Sequence, residues 1–143
     1  MPVELDAHTG LLNRRAWHTA LEEQIARAET DDPRSLLTMV LLDIDGMRSF
    51  NEAHGIAAGD RLLSEVANAL RETCRATDFV ARYGGEEFAV LLLGRSRVRV
   101  EAQIVRMRTS VNEQHPCTFG VAHWNRGESA GHLSERAEQA LRG

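Results

Sequence analysis

Asp43 and Glu86 are the residues of this 143-residue chain whose types and surroundings best suit chemistry. Asp43 lies near the end of an apolar run, residues 36–44, and is followed by Asp45-Gly46. Glu86 follows Gly84-Gly85, between the apolar stretches 79–81 and 88–93. Two glycines there suit a tight hairpin, whose turn needs the left-handed φ that Gly adopts freely. Glu86 and Glu87 then stand where a strand should begin, although carboxylates are poor strand formers. A local rule broken beside a turn marks a candidate functional site. If the two strands are neighbours, Asp43 and Glu86 converge. Two bare carboxylates about 5 Å apart repel by roughly 3 kcal/mol at an effective dielectric of 20, so the pair needs a proton or a divalent cation between its members. Oxygen ligands beside a phosphate suit Mg²⁺, which keeps several waters and takes one or two protein carboxylates. On spacing alone, Asp43 and Asp45 read equally well as solvated turn residues.

Other chemistry-bearing residues are fewer. Asn51 offers an acceptor and donors, and Asp60 two acceptors; together they can read the edge of a guanine. Asp60 also has a plain role near the start of a helix, where a carboxylate meets the positive end of the dipole. An EF-hand beginning at Asp43 fails, since its sixth position is Arg48 rather than Gly and its twelfth is His54 rather than Glu. No GxxxxGK[ST] loop occurs, and no serine has a nucleophile-elbow context. The six histidines form no HExxH-like pair. Cys74 and Cys117 share no metal-type spacing and read as reduced, buried thiols of a cytosolic protein.

The elements that must position these residues follow from periodicity. Asn13 caps a helix reaching about residue 29, with Ala16, Trp17, Ala20, Leu21 and Ile25 on one face. Residues 36–44 read as a strand buried on both faces. Helices are expected over 47–53, 59–75, 97–113 and 133–141, a hairpin over 79–93, and a strand over 118–123. Strands interspersed with helices point to a mixed α/β sandwich in one domain. Hydrophobic residues make up 43% and charged residues 27%, ordinary for a globular protein. The net charge of −4 disfavours general nucleic-acid binding. The longest apolar run is too short to span a membrane, and the N-terminus lacks a signal-peptide pattern.

The motifs taken together resemble the GGDEF domains, the diguanylate cyclases. Gly84-Gly85-Glu86-Glu87-Phe88 matches the family's signature in its GGEEF form, and Asp6-Ala7-His8-Thr9-Gly10-Leu11-Leu12-Asn13-Arg14-Arg15 resembles its opening D-x-L-T-G-L-x-N-R-R. Asp43-Ile44-Asp45, Asn51, Gly55 and Gly59-Asp60 fall at the spacing of D-[IV]-D-x-F-K-x-x-N-[DE]-x-x-G-H-x-x-G-D, and Thr118-Phe119-Gly120-Val121-Ala122 resembles S-x-G-[IV]-A. The resemblance implies a central, mostly antiparallel five-stranded sheet flanked by helices, similar to nucleotidyl cyclase and polymerase palm domains. It implies condensation of two GTP into cyclic di-GMP and two pyrophosphates at a transient homodimer interface. Asp43, the carbonyl of Ile44 and Glu86 would hold Mg²⁺ (or Mn²⁺), and Glu86 would help deprotonate the attacking 3′-hydroxyl. Asn51 and Asp60 would contact guanine, Met47 would pack by the nucleotide, and Gly84 and Gly85 would let the backbone approach the triphosphate. Arg75-Ala76-Thr77-Asp78 has the RxxD form of the family's inhibitory site, where Arg75, Asp78 and Arg106 would grip the product; an ordinary surface charge pair is the plainer reading of the same residues. The implied location is the cytoplasm.

The chain also departs from the pattern. Met47 replaces Phe, His8 replaces Leu, and Ile56 replaces His. Arg48 stands where the family has a phosphate-contacting Lys, which keeps the charge at this second candidate catalytic position but changes its geometry. Residues 133–141 resemble the family's A-D-x-A-L-Y helix, which normally runs on into Y-x-A-K-x-x-G-R-N with a Lys and an Arg for the phosphates. The resemblance therefore implies a single domain over residues 1–143, shortened at its C-terminus, with Arg142 too early in register to be either cation. No coiled-coil or sensor pattern precedes Asp6. Two readings follow: a diguanylate cyclase, favoured by Glu86, Asp43, Asn51 and Asp60, or an impaired domain that binds cyclic di-GMP or GTP as a regulator, favoured by Ile56 and the missing cations.

Overall fold

The apolar run that opens the chain's core, β1 (Leu36–Ile44), is the second strand from one edge of the sheet and is buried along nearly its whole length. The computed structural model describes residues 4–143. Helix α1 (Arg14–Thr30) precedes β1, and α2 (Met47–His54) and α3 (Ile56–Thr73) follow it. The hairpin β2 (Phe79–Arg82) and β3 (Glu87–Gly94) comes next, then α4 (Arg97–Gln114), β4 (Cys117–His123) and α5 (Ala130–Arg142). The strand order is β2-β3-β1-β4, and every pairing is antiparallel.

Strand periodicity sorts β1 between two cores. Val40, Leu42 and Ile44 face Leu62, Leu63, Val66 and Leu70 of α3 and Ile104 and Met107 of α4. Leu37, Met39 and Leu41 face Trp17, Leu21 and Ile25 of α1 and Leu133, Ala137 and Leu141 of α5. The sheet is thus covered on both sides, which explains why β1 reads as continuous rather than alternating. Among the described residues no helix is long and apolar enough to cross a membrane.

The sheet has four strands among the described residues, not the five implied by the resemblance. Beyond β2 the edge is met only by isolated bridges at Leu12, whose N–H donates to Val80 O (3.2 Å) and whose carbonyl accepts from Arg82 N (2.9 Å). Gly10 turns the chain with a left-handed φ of 75°, and Asn13 already caps α1 by accepting from Ala16 N. Too little chain lies between them to make a strand.

Two helix starts also differ from expectation. Helix α3 begins at Ile56, because Gly55 (φ 92°) both ends α2 and opens α3. Helix α5 begins at Ala130, because the Ser129 hydroxyl accepts from His132 N and supplies the cap. Helix α5 lies tightly on β4. A Cβ on Gly120 would come within 2.6 Å of Ala137 O and overlap the Leu141 backbone nitrogen. We expect Gly120→Ala to cost about 3 kcal/mol, read from urea denaturation; an unchanged midpoint would mean that α5 lifts freely.

The loop before α5 is tied by Glu128. Its carboxylate accepts from Arg136 Nε (2.7 Å) and Nη2 (2.8 Å), from Asn125 N (3.2 Å) and from His132 Nδ1. The Arg136 bonds hold the carboxyl down at about 2, against an ordinary 4.5. A depressed folded-state value means that this stability is complete above pH 4.5 and is lost as the pH falls toward 2. Glu128→Gln should therefore cost about 2 kcal/mol at neutral pH. Paired denaturation curves should show the gap closing in acid; a gap independent of pH would refute the assignment.

Candidate functional site

Strands β1 and β3 are neighbours, with Asp43 opposite Glu87, and the Glu86 carbonyl accepts from Ile44 N (3.1 Å). The register thus brings Asp43 and Glu86 to the same end of the sheet. Burial, then the neighbouring carboxylates Glu86, Glu87 and Asp45, push the Asp43 carboxyl above its ordinary value, while Arg142 pulls the other way. Asp45 is occupied elsewhere: its Oδ1 accepts from Thr118 Oγ1 (2.6 Å), and its carbonyl accepts from His115 Nε2 (2.7 Å). Asp43 Oδ1 is buried and has no hydrogen-bond partner among the described residues. Among those residues no three His, Cys, Asp or Glu side chains group as metal ligands. A buried, unpartnered carboxylate oxygen near a second carboxylate fits a hard cation that completes its sphere with water and phosphate, as Mg²⁺ does.

Met47, Arg48, Asn51, Glu52, Ile56 and Glu86 line one open cleft of about 500 Å³. Helix α2 supplies the first four, held between Gly46 (φ 62°) and Gly55, both in conformations that favour glycine. Asn51 Oδ1 is buried and, like Asp43 Oδ1, lacks a partner among the described residues. Gly59 makes room for it: a Cβ at that helical position would overlap Asn51 Oδ1 and come within 3.0 Å of Met47 Cε. Arg48 is almost wholly exposed and pairs with Glu52 one turn on (3.3 Å). Ile56 is 75% exposed. Asp60 does not line the cleft; it sits more than one turn into α3, and its carbonyl is bonded to His8 Nε2 (2.8 Å).

The turn between β2 and β3 differs from the expected tight hairpin. Its last strand pair is Arg82 with Phe88, and both Tyr83 N and Gly84 N donate to Glu87 O (2.8 and 3.1 Å). Neither Gly84 nor Gly85 adopts a left-handed φ, because the longer connection needs none. A Cβ on Gly85 would meet nothing within 4 Å, and one on Gly84 would press on Glu87 Oε1 at 3.0 Å.

Sequence reasoning missed several residues that hold this turn. The Arg14 guanidinium lies 4.1 Å over the Tyr83 ring and donates to the Tyr83 carbonyl (3.3 Å). Tyr83 Oη donates to Glu138 Oε1 (3.2 Å). Arg82 donates to the Gly85 carbonyl (2.7 Å). Only the adjacency of Arg82 and Tyr83 to the glycines hinted at this. Arg142, set aside on register, ends α5 with its charge felt at Asp43.

Arg75 and Asp78 meet at the other end of β3. The Asp78 side chain is 0% exposed and its carboxylate is fully engaged, accepting from Arg75 N (2.8 Å), Gln103 Nε2 (2.9 Å) and Leu93 N (3.1 Å). The Arg75 guanidinium donates to the Leu93 carbonyl and stays largely exposed. It lines a cleft of about 300 Å³ with Arg95, Arg99 and Arg106. Four guanidinium groups around one cleft favour an anion.

The family "Diguanylate cyclase, GGDEF domain" matches residues 3–143. The chain is 36% identical to "Diguanylate cyclase DgcP" of Pseudomonas aeruginosa over 146 residues, covering 95% of this chain and 22% of that protein. It is 34% identical to "Diguanylate cyclase A" of Treponema denticola, covering 95% of this chain and 40% of that protein. The chain thus spans well under half the length of these curated relatives. Its fold is similar to the GGDEF domain of DgcB from Caulobacter crescentus, solved in complex with c-di-GMP. The TM-score is 0.88 at 29% identity, covering 96% of this chain and 85% of that one. With the family matched from residue 3 onward and the carboxylate end of the sheet assembled as described, the chain belongs to the diguanylate cyclase GGDEF-domain family.

Proposed function

We propose that this domain is a diguanylate cyclase that joins two GTP molecules into cyclic di-GMP with release of two pyrophosphates. The observation that carries this reading is a pair of buried oxygens without a partner among the described residues: Asn51 Oδ1 in the cleft that Glu86 also lines, and Asp43 Oδ1 at the same end of the sheet as Glu86. Each suits a different part of one ligand: Asp43 a cation on the phosphates, Asn51 a guanine edge. Asp60, outside the cleft, would reach the base from α3. Asp43, Glu86 and the Ile44 carbonyl would hold Mg²⁺ (or Mn²⁺), which when bound neutralises phosphate charge and polarises the phosphoryl group. Glu86 accepts the proton of the attacking 3′-hydroxyl, and Arg48 turns from Glu52 to the phosphates. The open space at Gly85 admits the triphosphate against the backbone. Phosphoryl transfer needs mainly alignment and charge neutralisation, and these residues supply both.

One site holds one GTP, so two domains meet about a two-fold axis and react during a transient encounter. Product then returns to the arginine-lined cleft at Arg75, Asp78 and Arg106 and inhibits. Asp78 is spent on shaping that cleft, and Arg75 offers the exposed donors. GTP is a cytoplasmic metabolite, and the domain works there.

Incubation with GTP and Mg²⁺ followed by chromatography tests the reading; no cyclic di-GMP at high protein concentration would sink it. The four-arginine cleft favours a second reading, a cyclic di-GMP-binding regulator. That reading requires product binding by calorimetry without turnover, and loss of binding in Arg75→Ala.

A further inference from the structure

We infer that Arg82 is the positioning residue of the 83–86 turn, setting the direction of Glu86 from a separate turn at residues 6–11. Glu86 lies between two peptide groups. The one after it is pinned to the sheet, its carbonyl accepting from Ile44 N (3.1 Å). The one before it is pinned by Arg82, whose Nη2 donates to the Gly85 carbonyl (2.7 Å). A peptide group is planar, so fixing the Gly85 carbonyl fixes the opposed N–H of Glu86 and with it the direction in which the side chain leaves.

Arg82 is itself held from outside the cleft. Its Nη1 donates to Asp6 Oδ2 (3.3 Å), and both side chains are mostly buried. Asp6 belongs to a closed turn: its Oδ2 also accepts from Thr9 N and Thr9 Oγ1 (both 2.8 Å), and Gly10 N donates to Asp6 O (2.8 Å). That turn is fastened to α3 by Arg71 Nη2 on the Thr9 carbonyl and by His8 Nε2 on the Asp60 carbonyl. The planar guanidinium has donors in a fixed fork, so one side chain serves Asp6 and Gly85 at once. A lysine, with one compact charge, cannot span both. The turn at 6–11 is therefore tied to Glu86 through Arg82 and to the backbone of α3 at Asp60 through His8.

The Ile44 amide reports on this link, because its acceptor is the Glu86 carbonyl. We expect Arg82→Lys and Arg82→Gln to speed Ile44 hydrogen exchange at least tenfold by NMR in the cation-free protein, with Val40 in mid-strand unchanged. Asp6→Asn should give a smaller rise at the same amide. Ile44 exchange within twofold of wild type in whichever Arg82 variant folds would overturn the inference, as would an equal rise at Val40. Ile44 exchange unmoved by Asp6→Asn would overturn the link to the 6–11 turn. The consequence for turnover rests on the cyclase reading: kcat should fall at least tenfold in Arg82→Lys with KM for GTP within threefold. A KM rise with kcat intact would contradict it. A wild-type protein without turnover would remove the cyclase reading and leave the exchange result to decide on Arg82.

Discussion

Glu86→Gln is expected to lower cyclic di-GMP formation at least 10³-fold, about 4 kcal/mol in the barrier, while binding of a non-reacting GTP analogue falls less than tenfold. The amide keeps the size and one oxygen of the carboxylate. It loses the charge that faces the cation and the basicity that takes the 3′-hydroxyl proton, two effects that grow toward the transition state rather than on binding. The folded protein should not suffer. Glu86 is one of the charges that burden Asp43, so its neutralisation relieves repulsion in the metal-free state. Unchanged or raised thermal stability with lost turnover is the expected pairing. Product formation within tenfold of wild type would remove Glu86 from the chemistry.

Gly85→Ala is expected to separate stability from activity more sharply. The added methyl group meets no atom of the protein within 4 Å and the backbone there is not left-handed. Replacing Gly in such a conformation stabilises a protein by about 0.4–1 kcal/mol through the unfolded chain. Yet the proposed triphosphate lies against this backbone, and a Cβ would hold it off; a displacement near 1 Å costs on the order of 10²-fold in rate. A higher midpoint in thermal melting with turnover reduced 10²-fold or more is the expected result. Full activity would mean that the phosphates pass elsewhere. Gly120→Ala is the opposite case, in which the obstruction is α5 and the loss is in folding.

Much of this architecture was legible in the sequence, because long periodic segments carry their own signal. Strand β1 has the bounds read from its apolar run, and the expectation that Asp43 and Glu86 converge follows from two strand ends becoming neighbours. What was not legible depends on contacts distant in the chain. The glycines at 84 and 85 suggested a left-handed turn, but a turn's length is decided by where strand pairing stops, here at Arg82 and Phe88. The expected start of α3 near Gly59 lies three residues late because Gly55 and Gly59 look alike in sequence; one is a break and the other a point of close packing. The fifth strand is implied by the resemblance alone and not by the residues. Arg14, Arg82 and His8 act through backbone carbonyls 52–69 residues away or within an adjacent turn, and no periodicity encodes that. Gln103 completing the shell of Asp78 is equally silent in sequence.

The glycine within α3 has a consequence for how such a domain can drift. Positions 51 and 59 are coupled: a side chain at 59 would have to displace the Asn51 amide from the space it occupies. A glycine within a helix costs up to about 1 kcal/mol relative to alanine, so selection for folding alone favours its replacement. A lineage that keeps Asn51 in this position keeps the weaker helix. A lineage that abandons it is free to take the alanine, after which a return to asparagine needs two changes, the first of them destabilising. The mutational path is therefore easier in one direction than in the other.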